Sequence, residues 1–376
     1  MVVCMPDNIT DLEVKALVDG VNLSDGHPRM SLSSTQSEIV AGFPEVFAQT
    51  RKLPVDVVEK SARNAFLSSI GQHTALSDGV TFRSCYSSST AIDMIGKAIR
   101  LADRKVAMVE PTFDNLHDLL AGHGLSIHSV AESELAGGTL EDVIPAHGVL
   151  FTVSPNNPTG AVIDADRLHQ IAAACADRDT VLVIDSCFRA QDLRAQYDMY
   201  AVLGQYDLDW ATIEDTGKLW PLQELKAGFL NWNVGNPLPL ARMYSDHMLS
   251  ASPFILRIVE LFAEDGRHGG YDRLRGGIQS NRTLARDHIN LAPAYPESRI
   301  SVDTFRLPEG VEASALYTEL GEIGVHVLPG ELFYWAQPKL GTDLIRISLA
   351  RDPEAVVTGC QRVDQHLEAW RRVVIR

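Results

Sequence analysis

One lysine in the segment IEDTGKLWPLQELKAGF, residues 213–229, has neighbours that suggest chemistry. Lys218 follows a predicted strand and the flexible dipeptide TG, with Asp215 three residues before it and Lys226 eight residues after it. A buried amine beside a second cation has a lowered pKa and can form a Schiff base with a carbonyl compound. A solvated hairpin would have a similar composition, so this segment alone leaves both interpretations open.

Three further sites along the chain carry polar groups where a ligand could bind. Ser87, Ser88 and Ser89 precede the helical run AIDMIGKAIR, and the N–H groups at a helix start can bind an anion such as phosphate. Asn157, in SPNNPTG, follows a strand and can direct its amide towards a ligand. Asp185 ends a buried apolar run, where a carboxylate requires a cationic partner. Each feature also has an explanation without a ligand. The serines could cap a helix, Asn157 could belong to a plain turn, and Asp185 could form a structural ion pair.

The elements that would position these residues follow an alternation of β-rich and helical segments. Apolar runs separated by helical stretches predict an α/β fold with a mostly parallel sheet and helices on both faces. The predicted strands span residues 82–87, 106–111, 149–155, 180–188, 210–215 and 227–232. Ligands of such sheets bind beyond the carboxyl ends of the strands, which is where Asn157, Asp185 and Lys218 fall.

The outer parts of the chain differ from this central region. The beginning contains a short helix, a turn in the sequence SDG and a second helix. Long helices follow residue 235, and then come strands and a terminal helix at 298–305, 324–328, 344–350 and 353–372. The chain exceeds the size of a usual single core. We therefore predict an N-terminal arm, a large domain and a small α+β domain at residues 1–50, 51–250 and 251–376.

Composition restricts the possible partners. The chain has 376 residues and a formal net charge of −16 with no basic run, so we expect no nucleic-acid or anionic membrane partner. The charge favours a cationic substrate, although solubility alone would also account for it. No apolar run reaches the roughly 18 residues of a membrane span, and no secretory signal is visible. We expect a cytoplasmic protein, because the five scattered cysteines indicate neither zinc nor disulfides: Cys4, Cys85, Cys175, Cys187 and Cys360.

The order of these features resembles the fold-type I pyridoxal 5′-phosphate (PLP) enzymes, the aspartate aminotransferase superfamily, over nearly the whole chain. The resemblance implies a homodimer and PLP bound covalently to Lys218 as an aldimine. Asp185 would pair with the pyridinium nitrogen and Asn157 would contact the cofactor's O3′. Arg346 in LIRISLA would bind a substrate carboxylate through its planar guanidinium. Further implied contacts are Phe113 on the cofactor ring and, at its phosphate, Ser87, Ser88, Ser89 and Lys226.

Three positions depart from the usual pattern of that superfamily. Phe188 replaces a tyrosine that would donate a hydrogen bond to O3′, so the electronic properties of the cofactor should differ. Lys226 replaces an arginine at the phosphate, which keeps the charge but loses bidentate binding. Asp215 stands where a serine commonly contacts phosphate. Because a carboxylate repels phosphate, we expect Asp215 to face a cationic group.

A closer resemblance accounts for these departures. The segments DGHPR, SCYSSS, PTFDN, SPNNPTG, IEDTGKLWP and LKAG are similar to those of the PLP enzymes that oxidise L-arginine with O₂, without flavin or metal. In that group an N-terminal helix folds over the substrate, and Thr10 and Glu13 match its contributions. Glu13 and Asp215 would surround the guanidinium, and His27 would be the active-site histidine.

The closer resemblance implies that Lys218 removes the Cα proton of arginine and that electrons pass from a quinonoid intermediate to O₂. The products would be 4-hydroxy-2-oxo-arginine and 2-oxo-arginine, in the biosynthesis of nonproteinogenic amino acids or antibiotics. A four-electron desaturase that releases a dehydroarginine imine is an alternative. So is a conventional aminotransferase of a basic amino acid, which would consume a 2-oxo acid and no O₂. A ligand-sensing transcription factor of this fold would need a basic helix-turn-helix domain, which the N-terminal arm does not provide.

Several of these residues also have purely structural interpretations. Thr10 and Glu13 match a capping box, in which the threonine caps a helix and the glutamate reaches back. His27 would be an ordinary turn histidine outside its DGH context. We interpret Cys187 as a small core residue and Arg351, five residues past Arg346, as a solvated charge.

Overall fold

The computed structural model describes residues 8–222 and 224–374, with side chains as far as residue 371. Cys4 of the predicted cysteine set lies outside these residues. The described residues form three β-sheets that are covered by helices. The strands are β1 Val21–Asn22, β2 Val80–Cys85, β3 Val106–Glu110, β4 Ile127–Ala131, β5 Val149–Val153, β6 Val181–Asp185, β7 Trp210–Asp215, β8 Gly228–Asn233, β9 Ala292–Pro293, β10 Val302–Arg306, β11 Val325–His326, β12 Leu328–Pro329 and β13 Leu344–Ser348.

The largest sheet has seven strands in the order β2-β8-β7-β6-β5-β3-β4 among the described residues. Strands β4, β3, β5, β6 and β7 pair in parallel, whereas β8 is antiparallel to both β7 and β2. Every residue of β3, β5, β6 and β7 is buried, as expected for parallel strands with helices on both faces. The predicted mostly parallel sheet is therefore confirmed.

The smaller sheets lie in the outer parts of the chain. Strands β12, β13, β10 and β9 form an antiparallel sheet, in which Arg346 on β13 stands opposite Thr304 on β10 and Leu328 on β12. Strand β1, from the beginning of the chain, pairs in parallel with β11. The pairing of β1 with β11 joins the first and last parts of the chain, and the Ser348 N–H at the end of β13 donates to the Leu23 carbonyl. The N-terminal segment therefore lies close to the strand that carries Arg346.

The helices flank the sheets and include the predicted terminal helix. In the described part of the chain, none of them is both long and apolar enough to cross a membrane. Their bounds are α1 Ile9–Lys15, α2 Ser34–Ala41, α3 Phe43–Thr50, α4 Val55–Ser69, α5 Ser88–Leu101, α6 Asp114–Gly122, α7 Glu132–Gly137, α8 Ala165–Asp177, α9 Met199–Leu203, α10 Leu240–His247, α11 Pro253–Asp265, α12 Tyr271–His288, α13 Ala313–Glu322 and α14 Pro353–Val374.

Helix α1 begins differently from the predicted capping box. Its N-cap is Asn8, whose side-chain oxygen accepts a hydrogen bond from the Asp11 N–H at 2.9 Å. Thr10 is the second residue of the helix and not its cap. The interpretation in which Thr10 caps the helix and Glu13 reaches back to it is therefore wrong. The Glu13 side chain is consequently available for a different contact.

Candidate active site

A cavity of about 190 Å³ lies at the carboxyl ends of β5, β6 and β7. Helix α1 covers it with Thr10 and Glu13, and the segment after β1 contributes Gly26 and His27. Every candidate site residue except Arg346 lines this cavity: Thr10, Glu13, His27, Ser87, Ser88, Ser89, Phe113, Asn157, Asp185, Phe188, Asp215, Lys218 and Lys226. The fold therefore brings together residues that are distant in sequence.

Lys218 and Arg346 converge on the space beside Gly26. A methyl group built on Gly26 would lie 3.3 Å from Lys218 Nζ, 3.8 Å from an Arg346 terminal nitrogen and 3.8 Å from Glu13 Oε1. The Gln191 side chain donates a hydrogen bond to the Lys218 carbonyl at 2.6 Å, which fixes the backbone behind the amine. A small molecule in this space would meet an amine, a guanidinium and a carboxylate.

Asp185 ends β6 as a buried acid that faces the cavity. Its Oδ1 accepts a hydrogen bond from the Cys187 N–H at 3.0 Å. Burial raises the pKa of Asp185 to about 6, and the hydrogen bonds from Cys187 oppose that rise. A cationic ring nitrogen beside this carboxyl would stabilise its ionised form.

The start of α5 forms the predicted phosphate end of the cavity. Ser87 caps the helix, and its Oγ accepts a hydrogen bond from the Thr90 N–H at 3.3 Å. A methyl group on Gly228 would lie 2.8 Å from the Ser87 carbonyl carbon, so only glycine allows β8 to pass this close. Helix α5 also exposes a partial positive charge here, which favours an anion.

The Asp215 carboxylate already accepts a hydrogen bond from a main-chain donor at the start of α5. One of its carboxylate oxygens accepts from the Ser88 N–H at 2.6 Å and the other from the Gly217 N–H at 2.5 Å. The helix start thus supplies the positive partner of Asp215 in this structure. The predicted contact of Asp215 with a guanidinium stays a prediction.

His27 is held between an acid and an amine. Its Nδ1 lies 2.8 Å from Asp25 Oδ1, and its Nε2 lies 3.0 Å from Lys226 Nζ. The nearby Lys218 charge, followed by burial, lowers the pKa of His27. Burial would raise the pKa of Asp25, but the hydrogen bonds and charge of His27 hold it well below its usual value. A neutral His27 with its proton on Nδ1 satisfies both contacts.

Glu13 links α1 to the substrate side of the cavity. The side chain is buried, and its Oε1 accepts hydrogen bonds from the Gly26 N–H at 3.1 Å and from Arg346 at 3.2 Å. Glu13 therefore contacts the arginine that was predicted to bind a carboxylate. A substrate carboxylate that reaches Arg346 would have to share or replace this contact.

Arg346 is fully buried and retains unused hydrogen-bonding capacity. Its Nε and one terminal nitrogen have no hydrogen-bond acceptor among the described residues. Burial lowers the pKa of Arg346, while Glu13 opposes that change. The guanidinium carbon lies 5.5 Å from the centroid of the Phe333 ring. A buried guanidinium with free donors fits a carboxylate that can accept two hydrogen bonds.

The cavity also fits PLP. Lys218 supplies an amine, Asp185 an acid for the ring nitrogen, and Phe113 and Phe188 supply apolar surface. Asn157 has a buried side-chain oxygen without a hydrogen-bond partner among the described residues, so its amide is not committed to the protein. The start of α5 provides donors for a phosphate.

Two structural interpretations from the sequence have different outcomes. Cys187 is buried, in agreement with the core interpretation, and also lines the cavity. The interpretation of Arg351 as a solvated charge is wrong, because only 4% of the residue is exposed. Its guanidinium donates hydrogen bonds to the main-chain carbonyls of Asn22, Asp25 and His27. Spacing from Arg346 gave no indication of these partners, because they lie at the opposite end of the chain.

Sequence reasoning also missed three residues that organise the site. Asp25 and Gly26 were predicted only as part of a turn, without a role in the site. Asp114 accepts a hydrogen bond from the Ile9 N–H of α1 at 2.7 Å. The motif PTFDN contains Asp114, but nothing in the sequence indicates that its partner is the first helix.

The chain belongs to the aminotransferase class I and II family, whose sequence profile matches residues 19–363. It is thus a PLP-dependent, aminotransferase-like enzyme with the fold-type I architecture. Among solved structures it is similar to MppP soaked with the product 2-ketoarginine. The two chains are 37% identical with a TM-score of 0.88, and the match covers 92% of this chain and 99% of that one.

Two curated proteins are more distant relatives. A histidinol-phosphate aminotransferase 1 from Nostoc sp. is 25% identical over 270 residues, which cover 71% of each protein. A threonine-phosphate decarboxylase from Sinorhizobium sp. is 29% identical over 130 residues, which are 34% of this chain and 36% of that protein. The chain thus spans only about a third of the length of the second relative.

Proposed function

We propose that this enzyme binds PLP at Lys218 and oxidises free L-arginine with O₂. The observation that carries the proposal is the convergence of Lys218 and Arg346 with Glu13 of α1 beside Gly26. This arrangement suits a substrate with an α-amino group, a carboxylate and a cationic side chain. The 37% identity to MppP, which was soaked with its product 2-ketoarginine, supports arginine as that substrate.

The residues that would hold PLP divide its contacts by chemistry. Lys218 would bind the aldehyde carbon, Asp185 the ring nitrogen and Asn157 the O3′ atom. The apolar rings Phe113 and Phe188 would enclose the cofactor ring. The phosphate would be held by Ser87, Ser88, Ser89 and Lys226. When bound, PLP supplies an electrophilic carbon and a ring that accepts the electron pair released at the substrate α-carbon.

The other residues would bind arginine and control its protons. The free donors of Arg346 would bind the substrate carboxylate, and Lys218 Nζ would receive the α-carbon proton as general base. Glu13 and Asp215 would balance the positive guanidinium, and Thr10 would contact the substrate from α1. A closed α1 would exclude bulk water from the cavity. His27 Nε2, held by Asp25 behind the ring, can hold or release a proton at the cavity wall.

The proposed reaction balances with O₂ as the only oxidant. A two-electron oxidation takes up one O₂ and one water per arginine and releases 2-oxo-arginine, ammonia and hydrogen peroxide. A second two-electron step, with another O₂ and another water, adds a hydroxyl at C4 and releases a second peroxide. If the product leaves after both oxidations but before either water adds, it keeps its α-nitrogen, no ammonia is released, and the products are the dehydroarginine imine of a desaturase and two hydrogen peroxides.

A conventional aminotransferase of a basic amino acid is the second candidate function. The family match and the 25% identity to a histidinol-phosphate aminotransferase favour it. Such an enzyme would transfer the amino group to a 2-oxo acid and would leave O₂ unchanged. The two functions therefore differ in one measurable co-substrate.

An oxygen electrode with purified, PLP-reconstituted enzyme and L-arginine tests the proposal. We expect O₂ uptake without any added 2-oxo acid, and Lys218→Ala should lower it by about a thousandfold or more. Mass spectrometry under ¹⁸O₂ and, separately, in H₂¹⁸O would assign the source of each product oxygen. The control Lys339→Ala removes a lysine far from β7 in sequence and should retain full uptake.

Cofactor binding can be tested separately from oxidation. Borohydride should fix PLP to the peptide that contains Lys218, and the Lys218→Ala variant should show no such adduct. If arginine causes no O₂ uptake but the amino group reaches a 2-oxo acid, the aminotransferase is correct. If borohydride fixes nothing at Lys218, both functions are wrong.

A further inference from the structure

The segment that carries His27 has a defined shape set by its own side chains. The Asn22 side-chain oxygen accepts hydrogen bonds from the N–H groups of Ser24 at 3.0 Å and Asp25 at 3.1 Å. Asp25 in turn accepts from the His27 N–H at 2.9 Å and contacts the His27 ring. We call residues 22–27 the His27 loop.

Arg351 spans this loop from the other end of the chain. Its Nε donates to the Asn22 carbonyl at 2.7 Å, and its two terminal nitrogens donate to the carbonyls of His27 at 2.8 Å and Asp25 at 2.5 Å. A planar guanidinium can direct several donors at fixed angles, whereas a lysine ammonium cannot reproduce this pattern. Burial lowers the pKa of Arg351 to about 10, so the group still carries its charge at neutral pH.

The loop connects three of the proposed active-site groups. It carries His27 beside Lys226, and its Gly26 N–H binds Glu13 of the covering helix. Arg351 follows β13, the strand that holds Arg346, and the loop residue Leu23 accepts a hydrogen bond from the Ser348 N–H at the end of that strand. A shift of the loop would therefore change the position of His27 relative to Arg346.

We propose that Arg351 is a positioning residue, which fixes the His27 loop and with it the position of His27 Nε2, the group that can hold or release a proton at the cavity wall, and thereby sets how the oxidation of arginine divides between its products. The division between products rests on the proposed arginine oxidation, whereas the positioning of the loop does not. Arg351 does not line the cavity, so its effect passes through the backbone of Asn22, Asp25 and His27. Loss of the guanidinium would leave three carbonyls without these donors and would loosen the loop while Arg346 stays in β13.

Hydrogen–deuterium exchange of the PLP-bound enzyme without substrate tests the positioning role. In the Arg351→Met variant, the peptide that contains residues 21–29 should exchange about tenfold faster or more, while peptides from β5 and β6 stay unchanged. Arg351→Lys, which keeps the charge, should give an intermediate rate. The control Arg299→Met removes an exposed arginine before β10 and should match the wild type. Equal exchange in Arg351→Met and wild type would overturn the proposal.

Product analysis tests the second half of the proposal. We expect Arg351→Met to shift the ratio of hydroxylated to non-hydroxylated product by about fivefold or more, in the same direction as His27→Ala. A uniformly lower rate with an unchanged ratio would overturn it, because that result indicates a general structural role. If wild type takes up no O₂, the proposed function fails, and the exchange experiment still decides whether Arg351 holds the loop. If Arg351→Met does not fold, Arg351→Lys carries both measurements with the same expected directions.

Discussion

Gly26 lies where three of the proposed substrate-binding groups approach one another: Lys218, Glu13 and Arg346. Its φ angle is not in the left-handed region, so a side chain here would be limited by space rather than by backbone strain. The added methyl group of Gly26→Ala would lie 3.3 Å from Lys218 Nζ and 3.8 Å from both Glu13 Oε1 and an Arg346 terminal nitrogen. We expect kcat/KM for arginine to fall by about tenfold to a hundredfold, because the reacting groups must shift to accept the methyl group.

A matched glycine provides the control for that experiment. Gly122→Ala at the end of α6 meets nothing within 4 Å and should leave kinetics unchanged. PLP binding, followed by absorbance, should be retained in both variants. Equal kcat/KM in Gly26→Ala and wild type would show that the space beside Gly26 is not used by the substrate.

Asp215 gives a second prediction at a single residue. Its carboxylate occupies donors at the start of α5, where the cofactor phosphate is expected, and like charges repel. Asp215→Ser should lower the Kd for PLP roughly fivefold, which corresponds to about 1 kcal/mol of removed repulsion. The KM for arginine should rise, because a carboxylate near the guanidinium is lost. Fluorescence titration with PLP measures the first effect, with Asp118→Ser as control, and an unchanged or higher Kd would contradict it.

The sequence was most informative where a residue follows a strand. Asp185 and Lys218 could be assigned to one edge of the sheet because parallel strands align their carboxyl ends. Arg351 and Asp114 could not be assigned from the sequence. Arg351 is 329 residues from its partner Asn22, and Asp114 is 105 residues from its partner Ile9. No periodicity or local spacing encodes such contacts, so a buried, fully bonded arginine resembles a surface charge in the sequence.

Among the elements, α1 is held by an apolar cluster and a hydrogen bond at its first residue, in addition to the contacts of Glu13. Ile9 and Leu12 pack in an apolar cluster with Leu328 and Phe333. Asp114 of α6 accepts a hydrogen bond from the Ile9 N–H, and the other Asp114 oxygen is buried without a hydrogen-bond partner among the described residues. Helix α1 has seven residues, which is too short to be stable alone, so these contacts determine how well it covers the cavity.

The docking of α1 should depend on pH through Asp114. Burial raises the pKa of Asp114 to about 7, and the charges of Asp118 and Glu13 add to that rise. An acid whose pKa is higher in the docked state stabilises docking at low pH, and this stabilisation is lost as the pH rises towards 7. Between pH 5 and 7 the opening of α1 should therefore increase, by at most about tenfold per pH unit.

Hydrogen–deuterium exchange of residues 9–15, corrected for the intrinsic pH dependence of exchange, measures this opening. Asp114→Asn keeps an acceptor for the Ile9 N–H but cannot ionise, so its opening should be independent of pH. Asp118→Asn, on the exposed side of α6, should retain most of the wild-type dependence. Identical pH profiles for Asp114→Asn and wild type would contradict this role.

Strand β4 shows where the prediction of elements fell short. The central strands were found because both of their faces are apolar, whereas β4 lies at the edge of the sheet, beyond β3, and alternates in exposure. Its sequence, IHSVA, contains two polar residues and is short. The predicted strand at 324–328 contains β11 and the first residue of β12. The two-residue strands β1 and β9 were not predicted, and they are defined by their pairing partners rather than by local sequence.

At the scale of the whole molecule, helices α2 and α3 stand out because almost all of their residues are exposed or half-buried. Every residue of α2 is at least partly exposed, and in α3 only Thr50 is buried. Phe47 of α3 packs edge-on against Phe254 of α11 with ring centroids 5.6 Å apart, yet it remains 53% exposed. Large apolar side chains continue along the chain into α4, at Phe47, Leu53, Val55 and Val57.

We expect these exposed apolar residues to lie in the interface of the homodimer that the sequence resemblance implies. Exposed apolar side chains grouped on one surface commonly mark a protein interface. Light scattering should therefore give a mass of twice 41.2 kDa for the wild type. Val57→Glu would bury a charge in the interface without a partner, so the variant should dissociate at micromolar concentration to 41.2 kDa.

The location of the interface is tested by comparing exposed apolar residues in different regions. Val234→Glu changes a valine that is 63% exposed and follows β8, and it should remain a dimer. Phe47→Glu should behave like Val57→Glu, although it also loses the contact with Phe254. Dissociation caused only by Val234→Glu would place the interface elsewhere. If α2 and α3 pack against a second copy, dissociation should also speed deuterium exchange of residues 34–50, because these helices would lose that packing.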